Sequence, residues 1–222
     1  MLTPDERDLG VVVIDVGGGT TDVALFRENA VWHTAVVPLG GDHITNDIAV
    51  GLRTPPADAE ELKKRFGCAQ AALVLEDETV EVPSIGGRKP RVLSGQTLAR
   101  IVQARVKEIF TLVAHGIRKA GLEDAPTAGV VVTGGAALME GLPELAESVF
   151  DLPVRRGTPK WVGGFYDKVE SPTCATAVGL VLAGARRERR APMSAGLPGL
   201  GEGLPGVGRA VRRVREWVGQ LF

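Results

Sequence analysis

Asp15-Val16-Gly17-Gly18-Gly19-Thr20-Thr21-Asp22, the octet DVGGGTTD, decides how this chain is read. It follows the β-branched run that begins at Val11 and precedes an alternating stretch in which Val23 and Leu25 share a face. The run reads as a buried strand and the alternation as a half-buried one, so the glycines join strand to strand. A P-loop or a dinucleotide-binding turn needs a helix in second place, and both are excluded. Three glycines let the backbone approach a bulky anion closely, and the N–H groups of Gly17, Gly18 and Gly19 with the hydroxyls of Thr20 and Thr21 can cradle phosphate oxygens. Asp15, at the strand end, is suited to hold Mg2+ through water. Three glycines alone would mark only a tight turn; the order Asp-x-Gly-x-Gly-Thr between two hydrophobic strands carries the phosphate reading.

Working outward, Arg27-Glu28-Asn29 reads as a hairpin turn and Ala30 to Leu39 as the returning strand, broken by Gly40-Gly41. Ile44, Ile48 and Leu52 predict a short helix, and Thr54-Pro55-Pro56 a cap with proline at the first position of a second helix that closes at Gly67. Two short strands are expected between Leu73 and Val82, then a turn at Gly86-Gly87. Leu98, Val102, Val106, Ile109, Val113 and Ile117 trace one face of the longest helix, with Ser94 as its cap and Arg118-Lys119 in its last turn. Gly129 to Thr133 is a fully apolar strand that runs into Gly134-Gly135 and a helical stretch through Val149. Pro153-Val154-Arg155 is a last strand, and Ser171-Pro172 opens a helix of small residues through Leu182. The order predicts an α/β fold.

The 222 residues balance 26 Lys and Arg against 27 Asp and Glu, and 44% are hydrophobic, which excludes a generic nucleic-acid binder and a disordered chain. Cys68 and Cys174 stand far apart with no metal-ligand spacing, so a reducing compartment is expected and a disulfide framework is not. No apolar run approaches the ~20 residues of a membrane span. Acids close behind Met1 are the opposite of a signal peptide, so export is not expected. From Arg186 to Phe222 the chain carries eight Arg and three Glu, with Gly, Pro and Leu dominating 192–208. That reads as a tether. Beyond it Val207, Val211, Val214, Trp217, Val218, Leu221 and Phe222 fall at helical spacing opposite Arg209, Arg212, Arg213 and Arg215. An amphipathic helix of this kind suits an anionic membrane surface, with packing on the protein's own core as the alternative.

The octet resembles the second phosphate loop of the superfamily of actin, the 70-kDa heat-shock chaperones and the sugar kinases, and VVVTGG (130–135) with Ala136 resembles its adenosine loop. Glu60 and Lys63, three apart on one helical face, match the superfamily's ribose-contacting pair; a solvated surface ion pair is the alternative. The stretches PLGGDHITNDIAVGLRTPPADAEELKKRFGCA, VEVPSIGGRKPRVLSGQTLARIVQARVKEIF and LPVRRGTPKWVGGFYDKVESPTCATAVGL resemble the bacterial cell-division family FtsA, with GGDHITNDIA and VPSIGGR specific to it. The resemblance covers almost all of Leu9 to Leu182. It implies an actin-like (ribonuclease H-like) domain: subdomain 2A from residues 1–53 and 125–185, a smaller subdomain 2B inserted at 54–124, a linker at 186–206 and a membrane-targeting helix at 207–222.

It further implies ATP with Mg2+ held by Gly17, Gly18, Gly19, Thr20, Thr21, Glu60, Lys63, Gly134, Gly135 and Ala136, and self-association into actin-like filaments. The implied partner is the C-terminal tail of FtsZ, docked by basic residues such as Arg91 and Arg105, and the implied place is the cytoplasmic face of the inner membrane at the division site. Only one phosphate loop is present, in the order expected of the second. The first lobe of the fold is therefore expected to be missing, Met1 to stand midway along a longer protein, and hydrolysis by this chain alone is not expected. Other actin-superfamily ATPases, such as a pilus-assembly homologue, a chaperone-like ATPase or a kinase fragment, are the alternative.

Overall fold

A computed structural model describes residues 1–160 and 169–190, with the backbone alone at 87 and 187–190. Val11–Val16 (β1), Thr21–Arg27 (β2) and Ala30–Val37 (β3) form an antiparallel meander. Its second turn falls within the expected Arg27-Glu28-Asn29 but is shorter: Arg27 ends β2 opposite Ala30, and Glu28 and Asn29 alone form the loop with positive φ, 53° and 60°, the conformation whose twist matches the strands it joins. Val130–Thr133 (β6) lies parallel to β1 on its other side, and Val154–Arg156 (β7) parallel to β6, giving the order β3-β2-β1-β6-β7. Thr79–Val82 (β4) and Arg91–Ser94 (β5) make a separate two-stranded ribbon.

Five α-helices are described besides the first turn Pro4–Leu9 (α1): Gly41–Leu52 (α2), Pro56–Phe66 (α3), Gly95–Lys119 (α4), Leu142–Phe150 (α5) and Ala175–Arg190 (α6). The apolar stripe on α4 is buried along its whole length and packs between α2 and α5. Val12, Ile14, Val16, Val23, Leu25, Val130 and Val132 present one face of the sheet to it and to Ile44 and Ile48 of α2. Phe110 of α4 meets Phe150 of α5 edge to face, ring centroids 5.7 Å apart. β1 and β6 are buried on both faces, which is why they are apolar runs rather than alternations. Residues 1–182 form one compact unit; the other, 183–222, is described only as far as Arg190.

Four local expectations are corrected. Thr54 is no cap: Pro55 occupies that position, Pro56 is the first helical residue, and the Thr54 hydroxyl is buried without a partner among the described residues. Ser94 precedes α4 but its side chain makes no capping bond. Between Leu73 and Val82 only β4 is a strand. Gln96 Nε2 of α4 donates to Val74 O (3.1 Å), a backbone group that a further strand would have paired, and just before it Gln103 Oε1 accepts from Ala71 N (2.8 Å). Finally, the helix expected to stop at Leu182 continues to Arg190, into the stretch read as linker; Arg186 to Arg190 contains no Gly or Pro, and its cations suit a helix C-terminus.

Candidate functional site

Parallel pairing builds the site. Asp15 of β1 stands opposite Thr133 of β6, so the turn Gly17–Gly19 and the turn that starts at Gly134 leave the sheet at the same edge. This is the carboxyl edge, where open α/β sheets bind ligands. Gly134 has φ +88°, and a Cβ there would lie 2.4 Å from Asp15 Oδ1 and 2.5 Å from Val16 O, so a side chain is excluded. The first turn of α2 is stitched beneath the glycine loop: Gly41 N donates to Gly17 O (2.9 Å) and Asp42 N to Gly18 O (2.8 Å). A Cβ on Gly40 would meet Gly18 O at 2.5 Å, which explains the glycine pair that the sequence shows only as a strand break.

A cleft of about 620 Å³ opens at this edge, and Gly17, Gly18, Glu60, Lys63, Gly135 and Ala136 all line it. Glu60 and Lys63 form a partly buried pair facing the cleft: Lys63 Nζ lies 2.6 Å from Glu60 Oε2 and donates to Gly41 O (2.9 Å) and Thr45 Oγ1 (2.8 Å). Thr45 Oγ1 in turn donates to Glu60. Burial opposes the charged form of Glu60, but the hydrogen bonds from Lys63 and Thr45 and the charges of Lys63 and Lys64 outweigh it, leaving its carboxyl below the usual range. Glu60 is thus an ionised acceptor at the pH of a cell.

Other expected residues sit differently. Thr20 is exposed and its hydroxyl donates to Asp22 (3.3 Å). Thr21 corrects the sequence reading: it is fully buried in β2 and its hydroxyl donates to Leu39 O (2.8 Å), so that hydroxyl serves the sheet rather than a ligand. Asp15 Oδ2 accepts from Thr176 Oγ1 (2.7 Å), a tie from α6 that nothing in the spacing announced. Among the described residues, no three His, Cys, Asp or Glu side chains are grouped to hold a metal directly. Asp42, Lys64, Arg65, Glu140 and Thr173 also line the cleft and were not singled out. Their approach depends on where four separate segments fold, which residue type alone does not reveal. With Asp42, Glu60 and Glu140 against Lys63, Lys64 and Arg65, the walls are charge-balanced around a backbone that glycines leave open, an arrangement that fits a nucleotide with its cation. Arg91 lies elsewhere, donating to Leu52 O from β5. Arg105 is engaged with Asp47 (Nε to Oδ2 2.6 Å, Nη2 to Oδ1 3.0 Å) and Glu108, and these bonds raise its pKa further. The residues read as a membrane helix, Val207 to Phe222, lie outside the described residues.

A meander and a parallel extension that set two glycine turns over one cleft define the actin-like fold class. MreB5 of Spiroplasma citri, in a crystal structure bound to ADP, shares the fold with a TM-score of 0.65 at 19% identity, over 84% of this chain and 57% of that one. The family model for cell division protein FtsA matches residues 12–179. The FtsA of Pseudomonas aeruginosa is 52% identical over 188 residues, 85% of this chain and 45% of the relative. That of Escherichia coli K12 is 41% identical over 237 residues, 100% of this chain and 54% of the relative. The chain belongs to the FtsA family. It spans about half the length of these curated relatives.

Proposed function

We propose that this chain is the nucleotide-responsive and tethering half of an FtsA-type cell-division scaffold. The observation that carries the reading is the in-register pairing of β1 with β6, which brings Gly17–Gly18 and Gly135–Ala136 to one cleft that the Glu60–Lys63 pair of α3 also lines. ATP binds there with its phosphates over the glycine turn, its ribose toward Glu60 and Lys63, and its base against Gly135 and Ala136. Glu60, kept ionised, accepts from ribose hydroxyls; Lys63, anchored on Gly41 and Thr45, holds Glu60 in place. Mg2+, held through water by Asp15, would offset phosphate charge.

The remaining roles follow from the family. Residues 1–53 and 125–185 act as subdomain 2A and 54–124 as subdomain 2B. Copies associate into actin-like filaments. The basic surface around Arg91 and Arg105 docks the acidic-flanked C-terminal tail of FtsZ, with Arg91 contributing more because Arg105 is already neutralised by Asp47. The segment 207–222 binds anionic lipid, which places the protein on the cytoplasmic face of the inner membrane at the division site.

One assay tests both ends of the tether. Anionic vesicles sedimented with the full chain are expected to carry down a labelled FtsZ tail peptide. A chain ending at Pro205 should lose both protein and peptide, whereas Arg91→Glu with Arg105→Glu should sediment but leave the peptide in solution. Peptide recovery unchanged by either variant contradicts the tether.

A further inference from the structure

A second cleft, of about 800 Å³, opens where the end of α2 and the start of α3 face the 84–91 segment, and it shares no lining residue with the nucleotide cleft. Arg53, Arg88, Lys89 and Arg91 line it, and none of its described lining residues is acidic. Arg91 is fixed there by its bond to Leu52 O. Thr54 lines the same cleft at 1% exposure; its N–H is satisfied by Ala49 O (3.0 Å), but its Oγ1 has no partner among the described residues. The Oγ of Ser84, another lining residue, is likewise buried and unpaired. A buried hydroxyl without a partner is destabilising, and here two occur among four cations.

We propose that this cleft is an oxyanion site for a phosphate-class ligand. The Thr54 and Ser84 hydroxyls donate to the ligand's oxygens while the four cations neutralise it. A planar carboxylate offers two acceptor atoms and one charge, which would leave most of these donors unanswered. A tetrahedral phosphate group offers acceptors in several directions and close to two charges, and guanidinium forks match it. The inference rests on neither the nucleotide reading nor the FtsZ reading, although an acidic peptide that reached Arg91 would compete with an anion bound here.

Calorimetric titration of the full chain with inorganic pyrophosphate, on wild type, Thr54→Val and Ser84→Ala, tests it. Thr54→Val removes the unpaired hydroxyl at nearly constant volume, so its melting temperature should rise while pyrophosphate affinity at this site falls at least tenfold. Ser84→Ala should lose affinity in the same direction and keeps the test decisive if the valine variant folds poorly. Phosphatidylglycerol vesicles form a second arm. Sedimentation reduced in both variants identifies a lipid headgroup as the source of the phosphate, and unchanged sedimentation with lost pyrophosphate binding identifies a soluble one. Pyrophosphate isotherms that are the same in wild type and both variants overturn the proposal. So does a glutamate-rich peptide that binds as tightly as pyrophosphate with the same sensitivity to Thr54→Val, because the site would then read carboxylates.

Discussion

Glu6 joins two distant parts of the chain through one carboxylate. It closes the first turn of α1 by accepting from Thr3 N (2.7 Å), and it receives a forked pair from Arg155 of β7, both at 2.7 Å. The Arg155 hydrogen bonds are the largest influence on its carboxyl, which they push down to about 2 from 4.5. A carboxyl whose folded pKa is depressed contributes stability above its unfolded pKa, and that contribution is lost as pH falls through the folded one. Glu6→Gln keeps the capping shape and removes the charge. We expect it to cost about 1–2 kcal/mol at pH 7, less than the shift alone implies because Arg155 is 35% exposed. The gap between variant and wild type should close between about pH 4.5 and pH 2, as followed by urea unfolding. Gly134→Ala belongs to the same scale. Its Cβ would strike Asp15 and Val16 from a backbone conformation that is open only to glycine. Calorimetric melting should show a loss of about 2–3 kcal/mol, or roughly 5–10 °C.

Among the elements, α4 is the one on which the others assemble. Phe110 is fully buried at its centre against Phe150. Phe110→Ala should therefore destabilise the fold by about 3–5 kcal/mol, read from the midpoint of denaturant unfolding, whereas truncation of the exposed Leu112 should change it by less than about 0.5 kcal/mol. This contrast also shows what was legible in the sequence. Leu98 through Ile117 keep helical spacing and the β1 run keeps its apolar character, because burial imposes both; the helix and strand could be read directly. The hairpin turn was legible as a polar break between two apolar runs, Arg27-Glu28-Asn29, although Arg27 belongs to β2 and only Glu28 and Asn29 form the loop. The ribbon β4–β5 was only half legible, since exposed Arg91 and Val92 give β5 no burial pattern to follow. α1 went unread although Thr3-Pro4-Asp5-Glu6 spells a capping box. In the site, glycines and the Glu60–Lys63 spacing were visible, but Thr21 was misplaced because a hydroxyl beside a glycine turn can as easily face the sheet. Thr173 and Asp42 reach the cleft, and Thr176 reaches Asp15, only through tertiary folding.

At the scale of the molecule, two turns far apart in sequence line a single cleft, the one proposed to take the nucleotide, in a chain that spans about half the length of its relatives. The cleft's edge is held from below by α2 and bounded on one side by the Glu60–Lys63–Thr45 cluster. Heteronuclear NMR of the uniformly labelled full chain, titrated with ATP and Mg2+, tests this most directly. Saturable shifts are expected at the amides of Gly17, Gly18, Gly19, Asp42, Lys63, Gly135 and Ala136, while the amides of the α4 core stripe stay still. A titration that leaves the Gly17–Gly19 and Gly135–Ala136 amides unmoved, or moves only one of the two turns, would contradict it.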